Sequence, residues 1–140
     1  MAQATRPIPF PMLQQMVQLE GNTLAAGVLV PFGTLAVNDA GKIKPLTDTL
    51  MQAGAAALGV SLDTQDVRTE VADVTRRCLF ARGTQWTAPA AKSGDVPTAT
   101  EIGKFIAVQD NQTVKKTITG TDLQVRLDAI TSDGYVVFIP

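Results

Sequence analysis

From Leu24 onward, apolar residues fall into short runs separated by turn chemistry, the pattern of a chain of strands. Residues 28–37 (VLVPFGTLAV) are apolar and rich in branched side chains. Pro31 and Gly33 mark an edge, a bulge or a bend within them. Asn38-Asp39-Ala40-Gly41 predicts a tight turn, and Lys42-Ile43-Lys44 alternates as the returning strand of a hairpin. Thr47 and Asp48 predict the cap of a brief helix through Gln52, stopped by Gly54. Residues 55–62 (AAALGVSL) suit a buried strand in which Gly59 admits close backbone approach. Residues 74–83 (VTRRCLFARG) place Val74, Cys78 and Phe80 on one face, and Gly83 turns the chain into residues 84–87 with Trp86.

Residues 89–100 (PAAKSGDVPTAT) read as a loop by composition. Strands are expected over 103–109 and 113–119 with a turn at 110–112, then over 122–130, and finally over 135–139 after Ser132-Asp133-Gly134. In 122–130 the alternation is clean, with Leu123, Val125, Leu127 and Ala129 on one face and Gln124, Arg126 and Asp128 on the other. One stretch reads two ways. Val67, Val71, Val74 and Cys78 also fit a helical face, so 74–82 is expected extended and 66–73 stays open.

Residues 1–22 differ from the rest of the chain. Pro7, Pro9 and Pro11 alternate with Ile8 and Phe10, a pre-stiffened extended segment that lacks ladder donors at the prolines. Met12, Leu13, Met16 and Val17 have the spacing of one apolar face of a short helical turn. Ile8, Phe10, Met12 and Leu13 are costly to leave in water, so the segment reads either as a loose terminus or as an arm that orders against a partner.

Composition narrows the function classes. With 140 residues, 45% apolar and 18% charged, the chain has the length and the apolar content for one domain with a real core. A net charge of −1 supplies no field for steering polyanions or anionic membranes, so neither nucleic acid nor a membrane is expected as a partner. No run reaches the ~18 apolar residues of a membrane helix, and the opening residues lack the basic-then-apolar pattern of a secretory leader, so folding in a cytoplasm is expected. The single cysteine, Cys78, allows no intrachain disulfide.

The absence of histidine removes the usual proton carrier at neutral pH and the commonest metal ligand. Cys78 therefore lacks its activating partner, and mid-strand among apolar residues it reads as a buried, inert thiol. Asp63, Asp66, Glu70 and Asp73 lack the ligand spacing of a calcium loop and read as a solvated face. No phosphate-cradling glycine motif occurs. Arg76-Arg77 and Lys115-Lys116 are adjacent in strands and point to opposite faces, so neither pair forms a two-charge patch. Asn111-Gln112-Thr113 matches a glycosylation acceptor and reads as a chance turn match. No catalytic residue, cofactor site or metal site is expected.

A hairpin (LAVNDAGKIKPL, 35–46), an alanine-glycine strand (AGAAALGVSLD, 53–63) and a strand ending in a glycine turn with an aromatic (VTRRCLFARGTQW, 74–86) succeed one another. This succession resembles the head decoration proteins of tailed bacteriophages, the lambda-type capsid-stabilising or cement proteins. It covers residues 24–87, and the Pro-rich apolar arm looks like theirs. The resemblance implies a mainly β, compact β-tulip-like or β-barrel-like domain over 23–140, an extended arm over 1–22 and at most one or two short helices. It also implies a virion protein, made in the host cytoplasm, that sits on the outer surface of the capsid as a homotrimer, with a dimer as the alternative. The major capsid protein would be its partner, gripped by the arm residues Pro7, Ile8, Pro9, Phe10, Pro11, Met12 and Leu13. Three rival readings stand beside it: another phage structural β module of a tail tube or head–tail connector, a carbohydrate- or peptide-binding sandwich, and an enzyme built on carboxylate, Lys or Tyr chemistry.

Overall fold

The computed structural model describes residues 17–140, and they are mainly β, as expected. Strands β1 (Val17–Leu24), β3 (Leu35–Asp39), β4 (Lys42–Pro45), β5 (Ala56–Ser61) and β7 (Val74–Arg82) close into a barrel in the order β1-β4-β3-β5-β7. Between them lie helix α1 (Asp48–Gln52) and a two-stranded ribbon of β2 (Leu29–Val30) and β6 (Gln65–Asp66).

Local chemistry explains the barrel's joints. Asp39 pairs with Lys42, and Ala40 and Gly41 between them have φ of 51° and 91°, the left-handed pair that a two-residue hairpin needs. The Asn38 side chain accepts the Gly41 N–H and holds the turn. Thr47 caps α1 by accepting the Leu50 N–H. The β3–β5 register shifts between Ala36 and Val37, opposite Gly59, whose φ is 122°. A Cβ at Gly59 would stand 2.2 Å from the Ala81 carbonyl oxygen, so only glycine lets β5 approach β7 there.

Strands β8 (Thr84–Ala88), β9 (Ala90–Ala91), β10 (Phe105–Asp110), β11 (Thr113–Lys115), β12 (Gln124–Thr131) and β13 (Gly134–Ile139) form a second sheet in the order β8-β13-β12-β10-β11-β9. Gly83, at φ 65°, is the one-residue joint between barrel strand β7 and sheet strand β8, and its N–H donates to the Ile139 carbonyl at 2.7 Å.

The core has two layers. Ala36, Ile43, Cys78 and Phe80 fill the barrel together with Leu24, Val30 and Val67. Leu35, Val37, Leu46 and Met51 face outward from the barrel side and pack against Trp86, Ile106, Val125, Leu127, Val137 and Ile139 of the second sheet. Residues 88–140 therefore share a core with the barrel. The β3 run Leu35-Ala36-Val37 is fully buried because it has apolar layers on both faces, which is why it reads as continuous instead of alternating. The Trp86 indole N–H donates to the Gly33 carbonyl at 2.8 Å and ties the two layers together at their rim.

Several expectations need correction. Residues 17–22 of the expected arm lie in β1, paired with β7 from Val17↔Arg82 to Leu24↔Val74. The expected strand over 28–37 is split into β2 and β3 by the bend at Pro31 and Gly33. Where the sequence reads two ways, the favoured reading holds: 74–82 is strand as expected, and with Val67 buried and Val71 fully exposed the alternative helical face does not form. The strand expected over 113–119 ends at Lys115, because Asp95 accepts the Thr117 N–H and Asp122 the Thr119 N–H, drawing the backbone out of the ladder. The 89–100 loop contains β9 and the start of a 3-10 turn, Ala99–Glu101. Ala129 leaves the face of Val125 and Leu127 because the register shifts between Leu127 and Ala129.

Candidate interaction surfaces

The arm residues Pro7, Ile8, Pro9, Phe10, Pro11, Met12 and Leu13 lie outside the described residues. The junction between arm and fold is described. Val17 sits opposite Arg82 at the end of β7, and the first ion pair along this ladder is Arg77 to Glu20 at 3.3 Å, both side chains largely in solvent.

The residues weighed for catalysis are dispersed or already engaged. Cys78 is fully buried, its Sγ 3.5 Å from the Arg76 carbonyl. Burial first, and the Asp63 carboxylate second, push its thiol pKa up, against a smaller opposing effect of Arg76, so the reactive thiolate is disfavoured. Asp66 pairs with Arg68 at 2.8 Å, and Asp73 pairs with Lys42 at 2.9 Å while accepting the Ala26 N–H. Among the described residues, no three carboxylate or thiol side chains gather as metal ligands.

A polar groove of about 410 Å³ lies between the 92–95 turn and the chain after β11, lined by Lys92, Ser93, Gly94, Asp95, Lys115, Thr117 and Thr119. Asp95 and Lys115 within it are each engaged by other partners. Asp95 accepts from the Thr117 hydroxyl at 2.9 Å as well as from its N–H. Desolvation pushes the Asp95 pKa up, but the Thr117 donors and the nearby Lys116 and Lys92 outweigh it and leave it lowered. The Lys115 side chain is only 6% exposed and pairs with the fully buried Asp122 at 2.9 Å. Asp122 also accepts from Gln52 of α1 at 2.6 Å, and the Thr121 hydroxyl donates to the Met51 carbonyl. This arrangement is a clasp between α1 and the 115–122 segment; no base or nucleophile in it is left free. Sequence reasoning placed Lys115 and Lys116 on opposite faces of a strand but had no signal for the buried partner Asp122, which only the fold brings to Lys115.

The outer face of the second sheet carries a row of aromatic and polar side chains. Registers align Phe105, Arg126, Phe138 and Gln85 in one row across β10, β12, β13 and β8. Phe105 is 57% exposed, and the Arg126 guanidinium stands 4.9 Å from the centre of the Phe138 ring, a cation–π distance. Asp128 accepts from Arg126 at 2.6 Å and from Gln85 at 3.0 Å. Those donors, Arg126 foremost, hold the Asp128 carboxyl below the usual range against desolvation. Ile102 and Ile130 are also exposed. The sequence did carry a signal: Phe105 and Ile106 are adjacent in one strand, so one of two large apolar side chains must face away from the core.

No protein-family model, curated protein or solved structure matches this chain.

Proposed function

We propose that this chain is a structural protein of a phage virion, a decoration or cement subunit that binds the outer surface of the capsid and stabilises it. The observation that carries the reading is positional. The three segments that resemble the decoration proteins (35–46, 53–63 and 74–86) supply β3, β4, β5, β7 and the start of β8, and the apolar Pro-rich arm leads directly into β1 of the same barrel. A rigid barrel at the root of a proline-stiffened arm suits docking, since less chain entropy is lost on binding. The major capsid protein is the proposed partner and a homotrimer the proposed form, with many weak contacts summing over a symmetric shell.

The test keeps the chain at full length. In the double variant Ile8→Asp with Phe10→Asp, cosedimentation with purified capsids should fall at least about tenfold, as loss of two buried anchors predicts, with the far-ultraviolet spectrum unchanged. Undiminished decoration would overturn the role of the arm. Rings or tubes in the electron microscope, in place of closed oligomers of about three times 14.8 kDa, would replace the reading by a tail-tube or connector component.

A further inference from the structure

Across the outer face of the second sheet, one row runs Phe105, Arg126, Phe138, Gln85 over β10, β12, β13 and β8. The β10–β11 ladder ends with Ala107 opposite Lys115, short of Phe105, so among the described residues this row has four members. Its midpoint falls between β12 and β13. Phe105 is 57% exposed, Arg126 and Gln85 are exposed, and Phe138 is half-buried beneath the Arg126 guanidinium.

The chemistry of the row suits burial against protein. Aromatic side chains and arginine are the types enriched where proteins meet. Arg126 already has its counter-charge: Asp128 accepts from its Nε at 2.6 Å and from its Nη2 at 3.3 Å, so covering the guanidinium strands no charge. The Phe138 ring beneath it and Asp128 beside it hold the Arg126 side chain in place before any contact, so little rotamer freedom is lost on docking.

The order of the row points to its occupant. Two copies packed face to face are related by a two-fold axis lying between their sheets. With that axis parallel to the strands and midway between β12 and β13, the row reverses against itself. The outer side of each guanidinium then meets the Phe138 ring of the other copy, and Phe105 meets Gln85. Both central encounters are cation–π pairs, and no arginine faces an arginine. An axis along the row would instead set Arg126 against Arg126, like charge on like charge. The strands of the two copies run nearly aligned, the ordinary arrangement of stacked sheets. We propose that this face recognises a second copy of the chain, the two second sheets packing together about a two-fold axis parallel to the strands between β12 and β13. The proposal does not rest on the capsid reading, which assigns shell contact to the arm, and the pairing holds whether or not the chain also forms a trimer.

The test mixes full-length Phe105→Cys with full-length Gln85→Cys under mild oxidation and reads disulfide-linked pairs on a denaturing gel. Cys78 is fully buried and takes no part. The proposed axis keeps the two Phe105 positions three strand spacings apart, about 14 Å, beyond disulfide reach. The mixture should therefore bridge, and neither variant alone should. No bridge in the mixture would overturn the proposal, as would Phe105→Cys alone bridging as fast as the mixture. Sedimentation velocity gives a second reading, without cysteines. Phe105→Asp, with an unchanged far-ultraviolet spectrum, should self-associate at least about tenfold more weakly than the parent, since a two-fold contact counts each substitution twice. Equal association of parent and variant would overturn the proposal.

Discussion

Replacing Asp122 by alanine tests whether the clasp between α1 and the 115–122 segment holds the fold. The Asp122 carboxylate takes three hydrogen bonds, from Gln52 Nε2 at 2.6 Å and from the Thr119 N–H and hydroxyl at 2.8 and 3.0 Å, and an ion pair with Lys115 Nζ at 2.9 Å. Its side chain is fully buried, and that of Lys115 nearly so. Removing one partner of such a pair leaves a buried charge uncompensated, which costs about 3–5 kcal/mol. The half-exposed Asp48 carboxylate, 3.8 Å from Lys115 Nζ, offsets part of this and places the expected loss near the lower end, about 3 kcal/mol. Against a total stability of about 5–15 kcal/mol, that shifts a urea midpoint by about 1–2 M. Trp86, the sole tryptophan and buried at the layer interface, reports unfolding by fluorescence. Lys115→Met with Asp122→Ala should lose at least about 1 kcal/mol less than the sum of the two single losses, since the charge left stranded is gone too.

The same variant has a pH signature. Desolvation pushes the Asp122 pKa up, but the Lys115 ammonium and the Thr119 N–H and hydroxyl outweigh it, so the folded pKa lies below the ordinary value of 3.8. A carboxyl with a depressed folded pKa contributes stability that is complete above its unfolded pKa and lost as pH falls through the folded one. The stability gap between parent and Asp122→Ala should therefore be flat from about pH 5 to 8 and shrink below about pH 4. A midpoint shift equivalent to less than about 1 kcal/mol, or a gap that widens in acid, would refute the desolvated clasp.

Two further outcomes rest on the packing. Gly59→Ala should lose about 3 kcal/mol or prevent folding, read by the same urea titration, because the new Cβ meets the Ala81 carbonyl oxygen, a backbone atom, at a φ of 122°. Trp86→Phe should lose about 1–3 kcal/mol, since it strands the Gly33 carbonyl and leaves space in the interlayer core; thermal melts monitored by circular dichroism measure this without the tryptophan.

Local signals that act within a few residues were readable in the chain. The Ala40-Gly41 turn, the Thr47 cap, the Gly54 stop and the close approach at Gly59 each depend on one residue's backbone freedom or one side-chain oxygen, and each is found. Signals set by distant partners were not readable. Residues 17–22 are expected in the arm, and Glu20-Gly21-Asn22 falls in mid-strand. They are strand because β7 supplies the ladder, with a register shift between Gly21 and Thr23 absorbing the irregularity. Lys115 and Asp122 look like surface residues, and only the pairing of β11 with β10 and the return of α1 over it enclose them together.

The same contrast explains why the strands form two layers instead of one larger barrel. Alternation along 122–130 states that one face is buried, but not against what. The answer lies in β3, whose run Leu35-Ala36-Val37 is apolar on both faces. Ala36 faces the barrel lumen, where a small side chain fits beside Cys78 and Phe80, and the larger Leu35 and Val37 face outward. A barrel wall with large apolar residues on its outside cannot end in water. The second sheet covers it, and the Gly83 joint between β7 and β8 lets the chain leave the barrel and do so. The doubly apolar strand β3 is thus the cause of the two-layer fold. The outer face of the second sheet, with Phe105 exposed in its row beside Arg126, is where the burial of apolar surface stops within one copy.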